Sequence, residues 1–386
     1  MRLLIAGGGT GGHIYPALAV ARSLRDRREG AELSWIGGHR GLEGGIVPAA
    51  GIPLRRLALR SLRSVDVNVH VALDPIRLAA SVPQAAAMLA VERPAAIFTT
   101  GGYVAVPVLM AAALLGIPVI LWEGNVVPGR AVRATARLAD VLAVSFAATC
   151  AALGPAAPGR PCYVTGTPIR DTRTVDRQGA RLRMGIEPDL PVLLIFGGSQ
   201  AVRRFNAAAA EALPRLVERV AVIHVTGDDG YAAALAARDA LPEDRRARYL
   251  PHAFLREDML SALAVADLVV GRAGSSTLAE VTALRLPMVV VPYPHAAGHQ
   301  LANARQLIDA GAARLVDDAD FDAEALLEAA AILEEPTVLG AMAAAAGRLG
   351  RPAAAEAVAD LVLAAAAREP LPDQQVVDRR SRGLRA

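Results

Sequence analysis

Short apolar runs alternate with helical stretches along most of the chain, and this alternation constrains the fold more than any other feature. Repeated strand–helix units form parallel sheets with helices on both faces. The pattern restarts after residue 166, so the sequence predicts an α/β protein with two doubly wound, Rossmann-like domains. The strand-like runs are Leu3–Ala6, Leu33–Gly37, Ala96–Thr100, Val119–Trp122, Val141–Val144, Cys162–Thr165, Val192–Phe196, Ala221–Val225, Leu268–Gly271 and Met288–Val291.

The predicted domain boundaries follow from this restart. We expect a first domain over residues 1–165 and a second over 166–344, with a disordered polar tail over 368–386. Ligands of such sheets bind at the carboxyl ends of the strands. We therefore expect the two domains to face each other across a cleft that holds two substrates.

Composition excludes several classes of protein. Only 4% of the residues are aromatic and the net charge is +3, which argues against nucleic-acid binding. Cys150 and Cys162 make neither a disulfide framework nor a metal cluster, so a reducing cytoplasm is the simplest setting. The chain begins with a strand rather than a signal peptide. The apolar stretch Val104–Leu121 is broken by prolines and a glycine, which predicts a helix followed by a strand.

A glycine loop, Gly7–His13, lies between the first strand and a helix. Such a loop can hold a phosphate or a sugar against its backbone, and its histidine can transfer a proton at neutral pH. The strand Leu33–Gly37 ends without an acidic residue, which argues against NAD. The chain has no lysine and thus no P-loop. The alternative is a plain turn of an α/β domain.

The second half carries a similar arrangement at Arg272–Glu280, where a strand, a glycine turn and a helix start form an anion site. Glu280 lies within that helix and can accept hydrogen bonds from ribose hydroxyls; alternatively it is a surface glutamate favoured by the helix dipole. Gln300 and Asn303 lie one turn apart and suit sugar hydroxyls, or simply begin a helix.

In their order and spacing, these blocks resemble the MurG family of peptidoglycan N-acetylglucosaminyltransferases, which convert lipid I to lipid II and have the two-domain GT-B fold. The resemblance extends to about Leu363. It rests on Gly7–His13, Thr100–Tyr103, Glu123–Asn125, Gly166–Arg170, Gly197–Gln200, Arg272–Glu280 and His295–Gln300. A C-terminal helix over about 345–366 is expected to pack back on the first domain.

The resemblance implies UDP-GlcNAc as the donor and undecaprenyl-diphospho-MurNAc-pentapeptide as the acceptor. Acceptor diphosphate is expected near the glycine loops of the first domain, which include Gly101, Gly102 and Tyr103. The implied donor-binding residues are Thr10, Gly11, Gly12, Asn125, Arg170, Ser199, Leu255, Ser275, Ser276, Thr277, Leu278, Ala279, Glu280 and Gln300.

The implied reaction is a single displacement in which the acceptor 4-hydroxyl attacks the anomeric carbon and UDP leaves with inversion. The hydroxyl needs a general base. His13 is the first candidate and Glu123 the second; the alternative role for His13 is to bind diphosphate or to order its loop. No Asp-x-Asp pair lies near the donor blocks, so we expect Arg170 and helix dipoles to serve the leaving group without a metal or cofactor.

Two blocks depart from the family pattern. Trp122 and Gly124 replace the usual histidine and glutamine beside Glu123. Ala201 replaces the glycine that usually follows the turn Gly197–Gln200. The alternatives left open are another glycosyltransferase of the GT-B fold, a UDP-GlcNAc 2-epimerase and a non-catalytic nucleotide-sugar sensor.

The acceptor is a membrane lipid, so the chain is expected at the cytoplasmic face of the membrane as a peripheral protein bound to anionic lipid. An apolar stretch beside arginines suits that surface, or else is a core helix with solvated charges. The stretch is Leu73–Leu89, and the arginines are Arg55, Arg56, Arg60, Arg63, Arg77, Arg130, Arg133 and Arg137.

Overall fold

The computed structural model describes residues 1–39, 41–59, 69–153, 160–197, 203–255, 258–294, 296 and 298–384, with the side chains of 69–76 excepted. The chain divides into two compact units. Unit 1 comprises Met1–Arg170 and Ala353–Ala386, and unit 2 comprises Asp171–Pro352. The change from unit 1 to unit 2 falls slightly beyond the predicted boundary at residue 165.

Unit 1 is built on a parallel seven-stranded sheet of order β3-β2-β1-β4-β5-β6-β7. Its elements are β1 (Arg2–Ala6), α1 (Gly11–Arg27), β2 (Glu32–Gly37), α2 (Glu43–Ala49), β3 (Leu54–Arg56), α3 (Val69–Glu92), β4 (Ala96–Thr99), α4 (Ala105–Leu115), β5 (Val119–Glu123), α5 (Arg130–Thr135), β6 (Val141–Val144), α6 (Ala147–Ala152) and β7 (Cys162–Val164). A 3₁₀ turn, Ala136–Leu138, follows α5.

Unit 2 has a parallel six-stranded sheet of order β10-β9-β8-β11-β12-β13. Its elements are α7 (Arg177–Arg183), β8 (Val192–Phe196), α8 (Arg203–Leu216), β9 (Ala221–Val225), α9 (Asp228–Asp239), β10 (Tyr249–His252), α10 (Met259–Val265), β11 (Leu268–Gly271), α11 (Ser275–Ala283), β12 (Met288–Val290), α12 (His299–Asp309), β13 (Ala313–Leu315), α13 (Ala323–Ala331) and α14 (Pro336–Leu349). The predicted α/β class with two doubly wound domains is confirmed.

Each sheet buries both of its faces because successive side chains of a strand point to opposite sides. In β1, Leu3 and Ile5 join one apolar core of unit 1, whereas Leu4 and Ala6 join the other. The sheet of unit 2 likewise separates two cores. Burial on both sides explains why the central strands are continuous apolar runs that the sequence reveals directly.

The C-terminal residues differ from the predicted disordered tail. The chain returns to unit 1 with α15 (Ala354–Ala367) and α16 (Gln374–Ser381). Val377 is buried, and Arg380 lies 2.8 Å from Glu356 Oε2 on α15. The Gln374 amide accepts a hydrogen bond from Val164 N at the edge of β7. A buried apolar side chain and these polar contacts order a segment whose composition alone suggests disorder.

The two cysteines also differ from expectation. Cys150 on α6 and Cys162 on β7 form a disulfide, with their Cα atoms 6.0 Å apart. The pairing follows from the packing of α6 against β7, which brings together two residues whose spacing in the sequence gave no indication of a bond.

Among the described helices, none is by itself both long and apolar enough to cross a membrane. Ala323–Glu334 and Pro336–Ala367 meet the length and hydropathy test only as a pair, and the two are bent by 93°.

His224 on β9 is buried in unit 2, with its Nδ1 2.9 Å from the Tyr249 hydroxyl oxygen. Burial lowers the pKa of His224 to about 4. Between about pH 6.5 and about pH 4, His224 is therefore protonated in the unfolded chain but neutral in the folded chain. We expect this residue to cost unit 2 about 3 kcal/mol of stability as the pH falls through that window.

The expected loss can be measured as the pH dependence of the free energy of unfolding for wild type and His224→Gln. The variant should have a flatter profile between pH 6.5 and 4 because glutamine does not titrate. The control substitution is His39→Gln, at an exposed histidine of unit 1. Equal slopes for wild type and His224→Gln would contradict the prediction.

Candidate functional site

The glycine loop after β1 and the loop after β4 lie at the point where the strand order of unit 1 reverses, because β1 and β4 are neighbours. Loops at such a point splay apart and leave a ligand crevice at the carboxyl ends of the strands. The structure thus brings together two blocks that the sequence separates, Gly7–His13 and Thr100–Tyr103. A Cβ on Gly102 would lie only 3.7 Å from His13 Nε2.

His13 is held by two reciprocal hydrogen bonds to Thr100. Its Nδ1 lies 2.8 Å from the Thr100 carbonyl oxygen, and the Thr100 hydroxyl donates to the His13 carbonyl at 3.0 Å. A carbonyl oxygen can only accept, so Nδ1 carries the proton of the neutral ring. The lone pair of that tautomer lies on Nε2, the nitrogen nearest to Gly102. His13 therefore has the tautomer that a general base needs.

Thr10, Gly11 and Gly12 form the start of α1, where Thr10 is the N-cap and makes no side-chain capping bond. The first turn of α1 contains no acidic residue. The first amide groups of a helix have no partner within the helix and carry partial positive charge. Gly9 has φ of 93°, which glycine adopts readily, and this turn directs the chain into α1. The arrangement suits an anion, and the anion site expected from the glycine pattern stays a prediction.

Glu123, the second candidate base, uses its carboxylate to accept hydrogen bonds from the loop that follows β5. Its Oε1 accepts from Asn125 N at 2.9 Å and from Asn125 Nδ2 at 3.0 Å, and its Oε2 accepts from Gly129 N at 3.0 Å. Only 5% of Glu123 is exposed. These three hydrogen bonds order the loop that carries Asn125 and occupy both oxygens of the carboxylate. This geometry favours His13 over Glu123 as the base.

Trp122, which departs from the family pattern, fills the core of unit 1. Its indole Nε1 donates to the Gly166 carbonyl at 3.0 Å. The tryptophan thus supplies a ring N–H donor at the position where the family usually has histidine. The departure affects the support of the Gly166–Arg170 segment and leaves Glu123 and Asn125 in place.

In unit 2, the anion site predicted at Arg272–Glu280 lies at the corresponding point, where β8 and β11 are neighbours and the strand order reverses. Gly274 is the N-cap of α11, and Ser275, Ser276 and Thr277 form its first turn, with no acidic residue among them. Leu278 is buried and anchors the helix, whereas Ala279 and Glu280 are partly exposed. Their placement suits an anion at the helix start and a hydrogen-bonding ligand beside Glu280.

Arg272 begins the block Arg272–Glu280, but its own role could not be read from the sequence. It is 6% exposed, its Nη1 lies 2.5 Å from Asp318 Oδ1, and it donates to the Val291 carbonyl at 3.0 Å. Its guanidinium also stacks 4.8 Å from the Phe205 ring centroid and 5.4 Å from that of Tyr293. Arg272 therefore joins the loop after β11 to the loop after β12 and to α8.

Gln300 and Asn303 have different environments, although the sequence groups them. The Gln300 Oε1 accepts from Tyr293 N at 2.9 Å and from Ala273 N at 3.2 Å, so its oxygen joins the loops after β11 and β12. Asn303 is fully buried, with Nδ2 3.5 Å from the Ala273 carbonyl. The suggestion that Asn303 meets sugar hydroxyls is wrong, because its amide is used inside unit 2.

The remaining predicted residues divide by what the structure describes. Leu255 is partly buried against a core of unit 2, and Arg170 is partly buried at the end of unit 1. Tyr103 packs over the first glycine loop, since a Cβ on Gly9 would lie 3.4 Å from its ring. Outside the described residues lie Ser199, Ala201, His295, Arg60 and Arg63.

Among the residues that the structure describes, no group of three or more His, Cys, Asp or Glu side chains is placed to hold a metal ion. Metal-independent catalysis stays a prediction.

Comparison with known proteins agrees with the residue-level resemblance. The glycosyltransferase family 28 N-terminal domain matches residues 3–144, and the glycosyltransferase family 28 C-terminal domain matches residues 192–360. A UDP-N-acetylglucosamine–N-acetylmuramyl-(pentapeptide) pyrophosphoryl-undecaprenol N-acetylglucosamine transferase from Chlorobium luteolum is 41% identical over 371 residues, covering 94% of this chain and 98% of that protein.

Two solved structures show similar folds. The crystal structure of Acinetobacter baumannii MurG has a TM-score of 0.74 at 30% identity and covers 94% of this chain and 99% of that one. A structure described as a putative UDP-N-acetylglucosamine 2-epimerase from Listeria monocytogenes has a TM-score of 0.69 at 15% identity, over 96% of this chain and 98% of that one. The second likeness concerns the fold alone.

Proposed function

Because this chain belongs to glycosyltransferase family 28 and to its UDP-N-acetylglucosamine–N-acetylmuramyl-(pentapeptide) pyrophosphoryl-undecaprenol N-acetylglucosamine transferases, we propose that it converts lipid I to lipid II. It transfers GlcNAc from UDP-GlcNAc to the 4-hydroxyl of MurNAc in undecaprenyl-diphospho-MurNAc-pentapeptide. The observation that carries the proposal is the 41% identity along 94% of the chain. The tautomer of His13 is in accord with it.

In unit 1, His13 Nε2 takes the proton of the acceptor hydroxyl as the hydroxyl oxygen attacks the anomeric carbon. The Thr100 carbonyl, 2.8 Å from Nδ1, stabilises the imidazolium that forms. The start of α1 and the Gly101–Tyr103 loop hold the acceptor diphosphate through backbone N–H groups. As the new glycosidic bond forms, the bond to UDP breaks and its electron pair leaves with the diphosphate.

In unit 2, the first turn of α11 binds the diphosphate of UDP-GlcNAc, and its dipole stabilises the charge that develops as UDP leaves. Glu280 accepts hydrogen bonds from the ribose, and the amide nitrogen of Gln300 donates to GlcNAc hydroxyls. Leu255 lies by the uracil through its backbone. Ser199 adds a donor to the diphosphate, and Arg170, the last residue of unit 1, is proposed as a second donor, so the charge of the leaving group is stabilised without a metal ion.

UDP release from UDP-GlcNAc, measured with and without a lipid I analogue, tests this function. We expect release that depends on the acceptor and that continues unchanged in EDTA, since backbone N–H groups and arginine replace a metal. If EDTA abolished the rate, only metal independence would be contradicted, and the transferase function would stand. Release without acceptor, with formation of the C2 epimer, would instead indicate the epimerase; binding of donor without any turnover would indicate a sensor.

We also propose that unit 1 docks on an anionic membrane surface through α4, which is not the stretch Leu73–Leu89 on α3 that the sequence suggested. Three large apolar side chains of this helix are exposed: Met110 at 43%, Leu114 at 77% and Leu115 at 44%. α4 packs against α5 and the 3₁₀ turn that follows it, which carry the exposed Arg130, Arg133 and Arg137. Apolar side chains beside arginines match the boundary between lipid tails and anionic head groups. Such docking would place the chain at the membrane face where its lipid acceptor lies.

Flotation with vesicles that contain anionic lipid tests the docking surface. The double variant Leu114→Ser/Leu115→Ser should bind these vesicles about tenfold more weakly or worse, because it removes apolar area that would leave water. Leu182→Ser is the matched control, since Leu182 is 78% exposed on unit 2. Equal flotation of the double variant and wild type would refute a role for α4.

A further inference from the structure

Glu43, the first residue of α2, is a fully buried carboxylate that the reaction described above does not use. Its Oε2 accepts from Gly9 N at 2.8 Å and its Oε1 accepts from Gly38 N at 3.0 Å. One side chain therefore joins the loop after β1 to the loop after β2. Such charge-assisted bonds are stronger than neutral ones, and removing one partner leaves a buried group unsatisfied.

The glycines around Glu43 leave space for this carboxylate and for little else. A Cβ on Gly8 would overlap Glu43 Oε1, and a Cβ on Gly41 would overlap its Oε2. A Cβ on Gly37 would lie 2.9 Å from Glu43 Cγ. The glycines near the first loop therefore serve two needs, since they admit a ligand on one side and accommodate Glu43 on the other.

Tyr103 closes the arrangement from the loop after β4. Its ring lies against the position of a Cβ on Gly9, and its hydroxyl lies against that of a Cβ on Gly38. Burial and the negative charge of Glu43 raise the pKa of Tyr103 to about 12, so its phenol stays protonated in the working pH range. Glu43, Gly9, Gly38 and Tyr103 thus form one packed unit beneath the start of α1.

We propose that Glu43 is a positioning residue for the transfer reaction: by binding the Gly9 amide, it fixes the loop that presents the first amides of α1 to the acceptor diphosphate. The inference rests on the proposed function. Because Gly9 N already donates to Glu43, the acceptor diphosphate binds the N–H groups of the helix start from Gly11 onward. It then lies beside the side chain of His13. A loop held in this way needs no reorganisation when the diphosphate binds.

Glu43→Gln tests the proposal, because glutamine has one acceptor oxygen and must turn an NH2 donor toward the other backbone N–H. We expect kcat/KM for the lipid I analogue to fall about 30-fold or more, with the Kd of UDP-GlcNAc unchanged within about twofold. Amide hydrogen exchange should quicken in peptides that contain Gly9 and Gly38. Glu32→Gln is the control, because Glu32 is 71% exposed on neighbouring β2.

A double-mutant cycle covers the case in which Glu43→Gln fails to fold. Gly8→Ala should lower kcat/KM at least about tenfold in the wild-type background, and clearly less beside Glu43→Asp, whose shorter side chain withdraws the carboxylate from the new methyl group. Additive effects, or wild-type kcat/KM in Glu43→Gln, would overturn the proposal. If the wild type has no transferase activity but Glu43→Gln still quickens exchange at Gly9, the proposed function is refuted. The structural link between Glu43 and the loop is then retained.

Discussion

Replacing His13 with asparagine is expected to lower the turnover of lipid I by about 10²- to 10⁴-fold, the usual contribution of a general base. The asparagine amide nitrogen can still donate to the Thr100 carbonyl, which His13 Nδ1 contacts at 2.8 Å, so the loop keeps its anchor. The substitution removes the lone pair of Nε2. Steady-state kinetics of acceptor-dependent UDP release measures the loss, and binding of UDP-GlcNAc should not change.

The control is His39→Asn, since His39 is an exposed histidine of the same unit. It should retain wild-type turnover. If His13→Asn also retains wild-type turnover, His13 is a diphosphate-binding or loop-ordering residue and the base is elsewhere. A rise in the KM of lipid I at constant kcat would indicate the same, because the residue would then contribute to binding alone.

Replacing Arg272 with methionine is expected to destabilise unit 2 by about 3 kcal/mol, the cost of breaking a buried ion pair from one side. Asp318 would lose the guanidinium that lies 2.5 Å away, and the Val291 carbonyl would lose its donor. Native-state hydrogen exchange in β11 and β12 measures the free energy of opening. The affinity for UDP-GlcNAc should fall as well, because the loops that Arg272 joins carry the start of α11 and lead to Gln300.

Arg215→Met is the matched control. Arg215 pairs with Glu324 at 2.6 Å, but the two side chains are 62% and 71% exposed. Such surface pairs contribute between about 0 and 1 kcal/mol. Equal stability of the two variants would show that the burial of Arg272 has no energetic consequence. Partial recovery of stability in Arg272→Met/Asp318→Asn would confirm that the uncompensated carboxylate causes the loss.

The central strands could be predicted from the sequence, whereas three edge strands could not. Leu3–Ala6 and Val192–Phe196 are continuous apolar runs because both faces of each strand are buried. The missed strands β3, β10 and β13 lie at sheet edges. β3 contains two exposed arginines and β10 contains Pro251. An edge strand pairs on one side only, so its sequence is not constrained to be apolar.

The candidate site shows the same division. Glycine spacing and a histidine predicted an anion site at Gly7–His13 because close backbone approach requires residues without a Cβ. The contact between Glu43 and that loop was not predicted, because Glu43 and Gly9 are 34 positions apart in the chain and only the sheet brings them together. The cluster of glycines on both sides of Glu43 is the signal that could have pointed to it.

The sequence by itself determined the fold class, the family and the residue types available for the chemistry, since each depends on local patterns of burial, turn geometry and spacing. Only the tertiary structure decided the protonated nitrogen of His13, the commitment of Glu123 to its loop, the burial of Asn303 and the order of α16. These properties depend on hydrogen bonds between residues far apart in the chain, such as His13 with Thr100, and the packing of a whole domain is what places such partners within about 3 Å of each other.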